Sequence, residues 1–448
     1  MERIVIGEVA RSTRSKIKYN SYWFIALILA VIFIRLVLGI NIPVAVLLAL
    51  SFIPIVFGDQ NDLMAFAICC IPLSSSFQYK YALFFFIIAY LLKSRLTIFL
   101  TKGGIAILIL MIWEFFHIIM GEFSVIEYLR SFAEILFLMF VLTMDFSQLD
   151  YKKIIRSLAI ATIGVCAIML ILQLKQFNFN FMSVFSRGFR MYRFGTQNTS
   201  QANFGLNYNA NRLGFICNIT TTGLLILYGR KEHSRFDIAA MILSMLFGLL
   251  TLSRSYIICL LFILLAFVLT VKGSFSKKAR TLLGIFLLIT IIGFVFINLF
   301  PNEVADFIER FSQDDIGNGR SQLFQFYHNH IWSSPVYYLF GVGLQNYGSK
   351  INAIQGYIAN VCHNGYQEII VCWGIFGLIM FAVIVYDIIV QSKKYATKHQ
   401  LMYFLPLVLL GVNVMAGQLI SSEIALMSLS FAYIILCIPY KDEYPSIQ

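Results

Sequence analysis

Residues 236–271 read FDIAAMILSMLFGLLTLSRSYIICLLFILLAFVLTV, two apolar runs divided by Leu252-Ser253-Arg254-Ser255. Each run, Phe236–Leu252 and Tyr256–Val271, approaches the about 20 apolar residues with which a helix crosses the hydrocarbon core of a bilayer. A tight turn between two such runs predicts antiparallel spans with an arginine at their mouth. Placing Arg near the membrane interior costs about 2.5–3.5 kcal/mol on insertion scales, so a charge kept there faces a cavity.

The pattern extends in both directions. Upstream runs are Tyr22–Leu38, Val44–Phe57, Leu63–Ser75, Tyr81–Leu92, Gly104–Met120, Ser131–Met144, Ile154–Leu174 and Leu213–Tyr228; downstream runs are Leu282–Leu299, Gln367–Val390, Met402–Gly417 and Ile424–Ile438. Leu63–Ser75 and Tyr81–Leu92 are short, and Pro72 interrupts the former, so they read as half-spans or one re-entrant pair. The expectation is an all-α polytopic integral membrane protein with about 12–14 transmembrane helices, residues 1–448 forming one transmembrane domain. Composition agrees: 59% of residues are hydrophobic and 12% are charged, where a soluble domain carries about 25% charged. Soluble, disordered and fibrous classes are excluded.

Charge sets the orientation. The chain has 34 basic and 22 acidic residues, a net charge of +12. Basic residues gather in the N-terminal segment and at Lys93/Arg95/Lys102, Lys152/Lys153/Arg156, Arg230/Lys231/Arg235, Lys272/Lys277/Lys278/Arg280 and Lys393/Lys394/Lys398. With the runs above, all fall on one side, which the positive-inside rule makes cytoplasmic together with both termini. The segment through Tyr19 reads as the flank of a retained first span rather than a signal peptide. No basic stripe with interleaved aromatics marks a nucleic-acid partner. Seven of eight Cys lie inside apolar runs, and no CxxC or Cys/His metal spacing exists, so cysteine does not report the redox compartment.

Two long connections then face outward, residues 175–212 and 301–366. The first is polar and carries Arg187, Arg190, Arg193 and Arg212; the second carries Arg320. Val304, Phe307, Ile308 and Phe311 fall at helical spacing, predicting an amphipathic helix. A second helix is expected after Gly319, with Leu323, Phe324, Tyr327 and Ile331 on one face and Pro335 at its end. Both would lie on the outer membrane surface. Convergent arginines suggest a di- or polyanionic substrate, because the guanidinium fork holds phosphate oxygens bidentately; solubility, head-group contact, or pairing of Arg320 with Asp314 or Asp315 are the plainer readings. His363 stands where the second connection meets Gln367–Val390. It is a candidate general base, with Asn364 or Glu368 to orient its ring. Within the spans, Glu114 and His117 share a helix face and satisfy each other or a neighbour. With Glu134 they would serve a proton-coupled transporter instead. The usual phosphate-loop, nucleophile-elbow and zinc-protease motifs are absent, as is D-x-D.

Gly319-Arg320-Ser321-Gln322-Leu323-Phe324, Ser334-Pro335, Phe340-Gly341-Val342-Gly343, His363-Asn364-Gly365-Tyr366 and Trp373-Gly374-Ile375-Phe376-Gly377 together resemble the signature of the O-antigen ligase and Wzy-type polysaccharide polymerase superfamily. Leu252-Ser253-Arg254-Ser255 looks like its Ser-Arg turn, Asn211-Arg212-Leu213-Gly214 like its Asn-x-x-small helix start, and Arg193-Phe194-Gly195-Thr196 like the Arg that precedes it. The resemblance covers about Arg193 to Phe381. Gln367 and Ala210 depart from it, standing where the family often has Leu and Pro.

The resemblance implies a GT-C-like membrane glycosyltransferase with a polyprenyl-pyrophosphate-linked saccharide donor, no metal and no cofactor. Carried over, His363 would be the base that deprotonates the acceptor sugar. Arg254 and Arg320 would hold the pyrophosphate, with Arg193 and Arg190 contributing. Arg212, Asn211, Asn364 and Glu368 complete the expected substrate-binding set. The expected activity is repeat-unit polymerisation at the outer face of a bacterial inner membrane. The rivals are a ligase that moves finished chains to a lipid A core, and a flippase of lipid-linked saccharide. Besides bilayer and substrate, a chain-length regulator is a candidate partner.

Overall fold

A computed structural model describes residues 4–6, 20–74, 79–93, 96–98, 101–119, 125–144, 149–187, 210–270, 320–344, 362–395, 401–415, 417, 419–420 and 424–439, with isolated positions between 276 and 308. The helices are α1 (Ser21–Leu36), α2 (Val44–Phe57), α3 (Gln60–Leu73), α4 (Tyr79–Lys93), α5 (Lys102–Ile119), α6 (Val125–Leu142), α7 (Tyr151–Gln176) and α8 (Phe181–Arg187). They continue with α9 (Ala210–Gly229), α10 (Arg235–Leu250), α11 (Arg254–Thr270), α12 (Arg320–Tyr327), α13 (Pro335–Phe340), α14 (Gly365–Ser392), α15 (Leu401–Val414) and α16 (Ala425–Leu436). A π turn, His328–Trp332, succeeds α12.

The helical expectation holds with one correction: β1 (Ile4–Ile6) pairs antiparallel with β2 (Leu96–Ile98). That pair joins the N-terminal segment to the α4–α5 connection. Among the described residues two helices, α7 and α14, are long and apolar enough to cross a membrane; α1, α2, α3, α6, α11, α15 and α16 contribute shorter apolar stretches. Polar residues set where several helices begin. Asn20 Oδ1 accepts from Tyr22 N, Asp150 Oδ1 from Lys153 N, and Asp59 with Asp62 and Ser234 with Asp237 form reciprocal capping boxes.

The core explains the short α3. Every residue from Asp62 to Leu73 is buried, Pro72 included, inside a continuous helix packed by α1, α4, α7 and α16. A helix enclosed by other helices need not be as long as one that faces lipid. α16 is likewise buried along its whole length. Between 276 and 308 the described positions are helical and exposed, among them Leu283, Leu287, Ile291, Phe294 and Ile297. In the second connection, Tyr327 and Ile331 are buried as expected but Phe324 is exposed. The helix begun at Arg320 ends at Trp332, just before Pro335 as expected, and Pro335 also opens α13, where its missing N–H is harmless. Val304, Phe307 and Phe311 lie outside the described residues. All eight cysteines are buried thiols.

Polar contacts sort the connections into two ends. At one end Lys153 pairs with Asp62, Arg156 Nε and Nη2 reach Asp237 at 3.0 and 2.8 Å, and Tyr395 Oη donates to Met144 O. Arg230 joins Tyr403 Oη at 3.0 Å, Tyr151 Oη at 3.0 Å and the Pro439 carbonyl, and Glu232 accepts from Tyr151 and pairs with Lys152. Four of the basic residues that set the expected orientation, Lys152, Lys153, Arg156 and Arg230, therefore meet here, paired with Asp62, Asp237 and Glu232. Burial opposes the charge on Glu232, yet the Tyr151 hydroxyl and Arg230 hold its pKa down to about 2 from 4.5. A depressed carboxylate adds stability that is complete above about 4.5 and fades as pH falls toward 2. We expect Glu232→Gln to lower Tm at neutral pH, with the gap from the parent closing across that window. A gap constant with pH would assign the effect to packing.

Candidate functional site

The opposite end gathers the starts of α9, α11 and α14, the end of α15, and residues 340–344. Alternation dictates this: α9 ends and α10 begins beside Arg230 and Asp237, and Tyr403 in the first turn of α15 touches Arg230.

At the α10–α11 turn, Leu252 takes a left-handed backbone, φ +50°, uncommon for a bulky residue. Ser253 then caps α11. Its Oγ accepts from Tyr256 N at 3.3 Å and donates to Asn211 Oδ1 at 2.7 Å, 42 residues earlier. Its one proton is thus committed, so in the 2.9 Å contact with Ser255 Oγ the donor is Ser255. Gly214 makes the close approach possible. A Cβ there would stand 2.9 Å from Tyr256 Cβ and 3.0 Å from Thr251 Oγ1. Asn211 therefore locks the start of α9 to the start of α11. Arg212, in the first turn of α9, and Arg254, the first residue of α11, are both half-buried at the two helix starts that this lock joins. Two helix starts, each at the positive end of a helix dipole, and two guanidinium groups favour an anion.

His363 precedes α14 and is exposed, with φ +49°. Asn364 caps the helix: its Oδ1 accepts from Tyr366 N at 3.0 Å and Gln367 N at 3.2 Å. Glu368 is fully buried, and its Oε2 accepts from Leu419 N at 2.7 Å and Ile420 N at 2.8 Å. Both side chains expected to orient the imidazole thus also have backbone tasks, which fix where His363 stands. Tyr366 Oη also donates to Gly411 O of α15, and α15 packs on α9 and α11. This links His363 mechanically to the arginine joint.

Arg320 is the first residue of α12; its side chain, like that of Arg187, lies outside the described residues, as do Arg190 and Arg193 altogether. The chain beyond Arg320 is held by a feature that sequence reading missed. α14 breaks at Gly374, with φ +67° and ψ −167°. Carbonyls that a straight helix would use internally turn outward, and Val342 N donates to Val371 O at 2.9 Å and Gly343 N to Cys372 O at 2.8 Å. Glu114 of α5 completes the joint. Its Oε2 accepts from Trp373 Nε1 at 2.8 Å and Leu344 N at 2.9 Å. Trp113 Nε1 donates to Phe340 O at 3.1 Å, and His117 Nε2 lies 3.2 Å from the same oxygen. Glu114 and His117 do have partners, but these sit more than 220 residues away. Among the described residues no three His, Cys, Asp or Glu are gathered as metal ligands.

The chain is thus helical, with two described helices long and apolar enough to cross a membrane, and it carries Arg212 and Arg254 at two helix starts and an exposed histidine at one end. Residues 239–382 match the model of the O-Antigen ligase family, which supports the O-antigen ligase and Wzy-type polymerase superfamily for this chain. Members are membrane glycosyltransferase-like enzymes of the bacterial inner membrane that handle lipid-linked saccharides. The matched stretch contains Arg254, Arg320, His363, Asn364 and Glu368; Arg190, Arg193, Asn211 and Arg212 precede it. Comparison with curated proteins gives no match.

Proposed function

We propose that the chain is a repeat-unit polysaccharide polymerase working at the outer face of the inner membrane, without a metal. It transfers a growing glycan from polyprenyl pyrophosphate to the non-reducing end of a lipid-linked repeat unit. The acceptor hydroxyl oxygen attacks the anomeric carbon and His363 takes its proton. The bond to pyrophosphate breaks, and Arg254 and Arg320 neutralise the charge that grows on the departing phosphates. Arg212, with Arg190 and Arg193 from the first outer connection, extends the anion-binding surface. The end bearing Lys153, Arg156 and Arg230 faces the cytoplasm, and the arginine joint faces outward.

The observation that carries this reading is the Asn211–Ser253 lock, which puts Arg212 and Arg254 at two helix starts on the same end of the bundle as His363. Incubating purified protein with a synthetic polyprenyl-pyrophosphate oligosaccharide tests it; a ladder of longer glycans is expected, and recovery of donor unchanged would sink it. The matched family's description favours a second reading, transfer of finished glycan to a lipid A core. A strain without the gene separates the two. Single capped repeats indicate a missing polymerase, and polymer stranded on its carrier lipid a missing ligase. Transport is the weaker alternative, because Glu114 holds an indole and a backbone amide.

A further inference from the structure

Glu114 lies well before residues 239–382, the stretch that the family match covers, yet it closes the joint that fixes the end of the Arg320-bearing segment. That segment runs without a break from α12 through the π turn and α13 to Leu344. Its far end is held on two sides. Kinked α14 supplies the Val371 and Cys372 carbonyls; α5 supplies Trp113, Glu114 and His117. The Glu114 carboxylate touches both sides, accepting from Trp373 of α14 and from Leu344 of the segment. It is fully buried, and charge-assisted bonds to a buried carboxylate are the stronger kind.

We infer that Glu114 is a positioning residue that sets where Arg320 stands relative to the arginine joint, and so tunes affinity for a pyrophosphate head group. The inference rests on the proposed function, in which Arg320 holds pyrophosphate. Trp113 and His117 share the task through the Phe340 carbonyl. The α5 helix thus has a part in a site whose other residues all lie from Arg190 onward.

The test measures binding of sugar-free polyprenyl pyrophosphate to the purified full-length protein. Glu114→Gln and, independently, Trp373→Phe are expected to weaken binding about tenfold, the scale of losing a charge-assisted hydrogen bond. Hydrogen exchange at Val342, Gly343 and Leu344 should quicken in both variants. In an Arg320→Ala background Glu114→Gln should cost nothing more, because the effect passes through Arg320. Losses that multiply would make Glu114 merely structural and overturn the proposal, as would parental binding and exchange in both single variants. If Arg320→Ala itself binds like the parent, the pyrophosphate reading fails instead, and exchange at 342–344 still reports whether Glu114 holds the segment. Glu232→Gln, at the opposite end, should bind like the parent.

Discussion

We expect His363→Ala and Arg254→Ala each to abolish glycan extension while membrane insertion and folded yield stay parental. His363 is exposed and precedes the Asn364 cap, so its removal leaves the cap, the Glu368 bonds and the packing of Gly365 untouched. Under the proposed function the group lost is the one that takes the acceptor proton, and a positioned general base contributes about 10²–10⁴-fold in rate. Arg254 is similar, because the cap of its helix comes from Ser253 and not from its own side chain. Arg254→Lys should recover little, since a point charge does not reproduce the two-pronged grip on phosphate. The measurement is turnover of lipid-linked repeats by purified variants matched for monodisperse yield. Parental turnover in His363→Ala would remove it as the base; parental turnover in Arg254→Ala would remove the pyrophosphate clamp.

The second large effect is on stability. Gly374→Ala should cost at least about 2 kcal/mol, because its dihedral angles lie where essentially only glycine is found. An added Cβ would also stand 2.2 Å from the Leu339 carbonyl carbon and oxygen. Backbone on both sides must move, and the bonds from Val342 and Gly343 are the first to suffer. Thermal unfolding in detergent should show a clearly lowered Tm with faster exchange at 341–344. An unchanged melt would mean that the break in α14 is soft rather than enforced.

The helices were legible because apolar runs of this length have few other destinations; the caps at Asn20, Asp59, Asp150, Ser234 and Asn364 came only from the structure. The arginine turn was legible too, since Arg254 stands out against thirty-odd apolar neighbours. The partners of buried polar groups were not. Periodicity relates Glu114 to His117, three residues on, and is blind to Leu344 and Trp373; Glu368 gave no hint of Leu419 and Ile420. The break at Gly374 was hidden for a related reason. A glycine inside a long apolar run reads as tolerated helix, and only the amides of a distant segment make the other conformation worthwhile. Pro335 reads as a stop from the helix before it, because its role as a start depends on the six residues of α13.

The burial of every native thiol has a practical consequence. A membrane-impermeant maleimide applied to intact cells has no accessible sulfhydryl on the parent chain to modify. Single reporters installed at exposed positions such as Val336, Tyr366 or Lys231 can therefore be read against a silent background without first stripping the natural cysteines, and which of them react will reveal how the molecule sits in its bilayer.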